Sequence, residues 1–181
     1  MEGGRVRSSG ACSKILETYQ HGATGPATVV VPEPCADLAE RAYATSVAIE
    51  TEEGASRLTF SVGQTWRIRI GFRVVRRQNH FVTAVGLTAA DGTSVQTAWV
   101  PPRDLEPGNY EAVFVQDRVI LEAGTYSLLV GLNENERVLQ QFEAARLELS
   151  GENVTGYYPA TSGIGAVLNS MHATVNRLPT R

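Results

Sequence analysis

Three arginines recur in Trp66-Arg67-Ile68-Arg69-Ile70-Gly71-Phe72-Arg73-Val74. In an extended strand this alternation puts Arg67, Arg69, Gly71 and Arg73 on one side and the apolar residues on the other. By the same parity, the next two segments offer Ala84, Gly86 and Thr88, then Gln96 and Ala98. Small residues beside Arg and Gln make a shallow trough. Planar hydrogen-bonding side chains reach paired hydroxyls, and an aromatic plate meets C–H faces, so the chemistry suits a sugar. Trp99, at the trough's end, and Tyr157 or Tyr158 are the candidate plates, which makes the candidate set Arg67, Arg69, Arg73, Thr88, Gln96, Trp99, Tyr157 and Tyr158. Two plainer readings use the same residues. The arginines can be an ordinary solvated strand face with Trp99 and Tyr110 in the core, or the small residues can let a second copy pack closely.

Other chemistry finds little support. No Gly-x-Ser-x-Gly elbow occurs. His21, His80 and His172 lack metal-ligand spacing. Asp104, Glu106, Glu111 and Glu122 all lie near turns, where solvated acids are the rule, so paired carboxylates for glycoside hydrolysis are not expected. There is no Gly-x-x-x-x-Gly-Lys-Ser/Thr loop, and the one lysine, Lys14, stands elsewhere. Neither an enzyme nor a cofactor is expected. The formal net charge of -3 gives no basic field for nucleic acid. No stretch reaches the ~18 consecutive apolar residues of a membrane span. Cys12 and Cys35 form no disulfide framework or zinc site and fit a reducing compartment.

The elements that must position the candidates follow from periodicity. Ile15, Leu16 and Tyr19 behind Ser13 predict a short helix within residues 10–20, and residues 22–37, with Pro26, Pro32 and Pro34, read as linker. From Tyr43 the period becomes two, predicting strands near 43–50, 57–60, 65–74, 81–89, 94–99, 109–116, 125–132 and 144–150. Asp91-Gly92 marks a tight hairpin between the fourth and fifth. Pro101, Pro102 and Pro107 make 100–108 a loop that crosses to a second sheet. Beyond Gly151 one terminal strand is expected, pairing within the chain or with another protomer. Trp66, Phe72, Phe114 and Tyr126 belong to the core.

Leu105-Glu106-Pro107-Gly108-Asn109-Tyr110 and Leu121-Glu122-Ala123-Gly124-Thr125-Tyr126 nearly repeat, each launching an apolar strand. The pattern resembles the tyrosine corner of Greek-key sandwiches. The predicted fold is all-β: an Ig-like antiparallel β-sandwich of about eight strands, with a short N-terminal helix.

In this order the segments carry a family resemblance. Phe60-Ser61-Val62-Gly63-Gln64-Thr65-Trp66-Arg67-Ile68, Val85-Gly86-Leu87-Thr88-Ala89-Ala90-Asp91-Gly92-Thr93-Ser94-Val95 and the two Gly-x-Tyr turns resemble stretches of one family. It is the C-terminal carbohydrate-binding domain of the ATP-binding subunit in bacterial O-antigen polysaccharide ABC exporters. Gln64 stands where that family more usually has Glu. Gly4-Arg5-Val6, Gly10 and Ile15-Leu16-Glu17-Thr18-Tyr19 resemble the end of the nucleotide-binding domain.

The resemblance implies residues 1–20 as a remnant of that domain, 21–42 as a linker and 43–181 as the sandwich. It implies non-catalytic recognition of a cell-surface polysaccharide at its modified terminus, in the cytoplasm beside the inner membrane, as part of lipopolysaccharide biosynthesis. Implied partners are the polysaccharide, the transmembrane exporter subunit and a second copy of the chain, with exchange of the C-terminal strand as one arrangement. The competing expectation is a structural or dimerising Ig-like module without a ligand.

Overall fold

A computed structural model describes residues 29–116 and 121–150. The helix expected within 10–20 and the strand expected after Gly151 lie outside these residues. Within the stretch read as linker stands α1 (Ala36–Ala39), a single turn with Asp37 at its start and no buried side chain. The strands are β1 (Ala42–Thr51), β2 (Thr59–Ser61), β3 (Trp66–Val74), β4 (Gln78–Ala89), β5 (Ser94–Trp99), β6 (Arg103–Leu105), β7 (Gly108–Gln116), β8 (Gly124–Glu134) and β9 (Arg137–Ser150).

They form a β-sandwich. The smaller sheet runs in the order β1, β3, β7, and the larger runs β2, β9, β8, β4, β5, with β6 also beside β4. All pairings are antiparallel except the short parallel contact of β2 with β9. The alternation in β3 drives the packing as expected: Trp66, Ile68, Ile70, Phe72 and Val74 are all buried, meeting Val85, Leu87, Leu128, Val130, Leu132 and Leu147 from the larger sheet. Phe60 stacks on Trp66 at 5.2 Å, and Phe72 stacks on Phe81 and Tyr110 at 5.2 and 5.6 Å, so aromatic pairs mark the two ends of the core. Phe114 is only half-buried, at the open flank between the sheets.

Both tyrosine corners are present. The Tyr110 hydroxyl donates to the Glu106 carbonyl at 2.8 Å, and the Tyr126 hydroxyl to the Glu122 carbonyl at 2.7 Å. The hairpin between β4 and β5 turns at Gly92, whose φ is 88°. There the Thr93 N–H donates to Asp91 Oδ1 and holds that carboxyl below its usual range.

Three expectations need correction. The loop 100–108 does cross between sheets, from β5 to β7, but it carries β6 on the way. The strand expected over 144–150 is only the end of β9, a 14-residue strand. It pairs with β8 from Arg137 to Leu149, the two strands being joined by a two-residue turn at Asn135 and Glu136, both in the left-handed region (φ 47° and 63°). Finally, β3 and β4 are not neighbours in one sheet: the three residues between them, 75–77, carry the chain across the core.

Candidate functional site

That last point divides the expected trough. Arg67, Arg69 and Arg73 lie on the outer face of the smaller sheet, whereas Thr88 lies on the outer face of the larger one, on the opposite side of the molecule. On the smaller sheet two arginines are engaged with acids. Arg67 Nε donates to Glu50 Oε2 at 2.8 Å, and Arg69 reaches Glu111 Oε1 at 2.9 Å and Glu50 Oε1 at 3.8 Å. Glu50 is almost fully buried, so Arg67 supplies the charge that makes its burial tolerable. Arg73 is exposed, opposite Tyr43 and Asn109.

β5 also departs from simple alternation. Leu87 pairs with Gln96 but Thr88 pairs with Ser94, so Val95 is an extra residue in β5, a β-bulge. A one-residue shift turns every following side chain to the other face. Gln96 and Ala98 therefore point inward, where the Gln96 amide donates to Gln116 Oε1 at 2.8 Å across the open flank. Thr97 and Trp99 point outward instead. Trp99 is 63% exposed, against the reading that placed it in the core.

The bulge creates a different platform. Ladder pairing puts Trp99, Ala84, Gly131 and Gln141 in one row across β5, β4, β8 and β9. The adjacent row is Thr97, Gly86, Leu129 and Glu143, and beyond it stand Ser94, Thr88, Ser127 and Arg146. Ala84, Gly86 and Gly131 leave a floor of backbone and one methyl group. A Cβ added to Gly131 would lie 3.6 Å from Asn133 Nδ2 and 3.8 Å from the Ala84 Cβ, so the floor is open above the glycine. Trp99 is the aromatic wall, Gln141 is the amide at the far end, and Glu143 is paired with Arg146 at 3.0 Å. Four strand positions separate Thr88 from Ala84, about 13 Å at the usual rise, so Thr88 sits at the margin.

Of the eight candidates, Trp99 and Thr88 share this face. Arg67, Arg69 and Arg73 share the opposite one, Gln96 is interior, and Tyr157 and Tyr158 lie outside the described residues. Sequence reasoning missed Thr97, Gly131 and Gln141. Only Gly131, interrupting the run Leu128-Leu129-Val130-Gly131-Leu132, carried a signal, since a glycine inside a strand marks close approach.

A cleft of ≈ 260 Å³ also opens between β5 and β7, walled by Ile68, Val85, Leu87, Ala98 and Phe114. The indole N–H of Trp66, in its wall, is buried without an acceptor. Among the described residues no group of three or more His, Cys, Asp or Glu could hold a metal ion, and no helix is long and apolar enough to cross a membrane.

An antiparallel, Ig-like β-sandwich is the fold class that the sheets define, and one solved structure shares that fold. The chain is similar to the crystal structure of the C-terminal domain of wzt, with a TM-score of 0.63 and 12% identity over 75% of this chain and 84% of that one. A CARDB domain of the PF1109 protein from Pyrococcus furiosus, solved with di-metal ions, matches at TM-score 0.37 and 12% identity over 57% of this chain and 87% of that one. No family model and no curated protein sequence matches.

Proposed function

We propose that this sandwich is a non-catalytic module that recognises a cell-surface polysaccharide of the O-antigen type on the outer face of its larger sheet. The observation that carries the reading is Trp99, exposed on that face at the head of the row formed with Ala84, Gly131 and Gln141. A pyranose ring laid on the glycine floor would put a C–H face against the indole and hydroxyls within reach of Gln141 and Thr97. A shallow, exposed site orders few rotamers and gives modest affinity, micromolar to millimolar. The fold shared with the C-terminal domain of wzt and the motif resemblance support placing the module beside an exporter's ATP-binding subunit. There it would act in the cytoplasm, read a modified chain end and hand the polymer to the membrane subunit.

The test is affinity electrophoresis of the chain in gels containing the organism's own purified polysaccharide. Wild type is retarded. Trp99→Ala migrates as in a polysaccharide-free gel while its melting stays unchanged, since exposed substitutions usually cost under ~0.5 kcal/mol. Wild-type protein that is not retarded would overturn the reading. The second reading, a module that joins protein to protein, is favoured by the smaller sheet, where Arg67 and Arg69 are occupied by acids and the edge strand exposes Val113 and Val115.

A further inference from the structure

The platform is longer than one sugar ring, and its shape sets a direction. Each ladder row crosses β5, β4, β8 and β9 in that order, so β4 and β8 make the floor and β5 and β9 the rims. The floor is Ala84 with Gly131, then Gly86 with Leu129, then Thr88 with Ser127, all half-buried. On the β9 rim stand the exposed side chains of Gln141, Glu143 and Arg146, the last two ion-paired at 3.0 Å. On the β5 rim stand Trp99, Thr97 and Ser94, also exposed. Neighbouring strands are about 4.8 Å apart, so three spacings set the rims roughly 14 Å apart. Bounded on both sides, the trough runs along the strands.

Its chemistry changes along the way. The first row sets the Trp99 indole beside a methyl group and a bare glycine. In the second, a Cβ added to Gly86 would lie 3.8 Å from the Leu129 Cβ and 3.9 Å from Thr97 Oγ1, so an aliphatic side chain and a hydroxyl border the open floor. The third row holds Ser94, Thr88 and Ser127, three hydroxyls that can each donate and accept.

We propose that the glycan lies along β4 and β8 and that the site reads at least three consecutive sugar units. The first lies on Trp99 and Gly131, the second over Gly86 and Leu129, and the third on the hydroxyls of Ser94, Thr88 and Ser127. The inference rests on the carbohydrate reading of this face and adds to it a direction and a length. A chain laid across the strands would have to climb over Trp99 on one side and Gln141 on the other. It would leave one unit on the floor and give the third row nothing to bind. Thr88, marginal for a single ring, is on the floor of the third subsite.

The test is calorimetric titration of the full 181-residue chain with fragments of one to four units that keep the chain end, cut from the organism's own purified polysaccharide. Affinity is expected to rise at least ~10-fold from one unit to three, the gain that one or two added hydrogen bonds supply. Thr88→Tyr sets a ring on the third row and is expected to cut three-unit affinity ~10-fold, to the level of two units. Thr88→Val combined with Ser127→Ala removes two hydroxyls without adding bulk and is expected to lower three-unit affinity in the same way. Both variants should keep the wild-type circular-dichroism melt. If one unit binds the wild type as tightly as three, or if both variants bind three units as the wild type does, the three-unit track is overturned and the single ring on Trp99 remains. If the wild type binds neither the fragments nor the polymer, the carbohydrate reading falls and the track falls with it.

Discussion

The side-chain amide of Gln96 donates to Oε1 of Gln116 at 2.8 Å, tying the edge strand of the larger sheet to the edge strand of the smaller one. Both side chains are half-buried, so the bond competes only partly with water. Gln96→Ala is expected to lower unfolding stability by about 1 kcal/mol in urea titrations. It should leave polysaccharide retardation unchanged, because the amide faces the interior. A loss of retardation without a loss of stability would place Gln96 at the ligand after all.

The inward position of Gln96 marks where the sequence stops being legible. The alternation of β3 reads cleanly because five large apolar residues and three arginines leave one way to face the strand. Asp91-Gly92 and the two Gly-x-Tyr turns read equally well because each residue type has a local task that few others perform. The Val95 bulge has no such mark: Thr93-Ser94-Val95-Gln96 contains no glycine, yet its extra residue decides which of Gln96 and Trp99 reaches solvent. The short crossing at 75–77 is likewise no longer than a hairpin loop. Nothing local says that β4 enters the other sheet, and with that step the arginines part from Thr88.

The turn at Asn135 and Glu136 escaped notice for a related reason. A two-residue hairpin turn with both φ values positive favours Asn followed by Gly, and here Glu136 holds the second position at φ 63°. A non-glycine residue in that region costs roughly 1 kcal/mol. Glu136→Gly is therefore expected to stabilise the protein by about 0.5–1 kcal/mol, read as a higher urea midpoint at unchanged slope.

The Tyr126 corner predicts an alkaline limit. Burial, reinforced by the nearby Glu122 carboxylate, pushes the Tyr126 hydroxyl from its ordinary 10.0 up to about 12. A folded-state value above the unfolded one means that the unfolded chain loses this proton first. The contribution is complete below pH 10 and is lost as pH rises from there through about 12. Tyr126→Phe removes the bond to the Glu122 carbonyl, so it should cost about 1 kcal/mol at neutral pH and flatten the fall in stability over that alkaline window. Equal slopes for mutant and wild type would assign the alkaline fall to other groups.

On the smaller sheet, Arg67→Ala leaves Glu50 nearly buried without its nearest cation. Because Arg67 itself is about one-third exposed, the expected loss is modest, about 1 kcal/mol. Removing Glu50 as well should recover part of it, and a double-mutant cycle reads the coupling. Additive losses would mean that solvent, not Arg67, satisfies the carboxylate. Neither variant should change polysaccharide retardation, since both residues lie on the face away from Trp99.

Gly131 separates scaffold from platform. Glycine inside a strand is conformationally costly, and the ordinary contact distances around its missing Cβ leave room for a side chain. Gly131→Ala is expected to raise stability by roughly 0.5–1 kcal/mol. Gly131→Val, which suits a strand still better, places two methyl groups on the floor between Trp99 and Gln141. The valine variant should fold with at least wild-type stability and yet lose polysaccharide retardation. A variant that folds and still binds would show that the sugar does not lie in that row, however exposed Trp99 is.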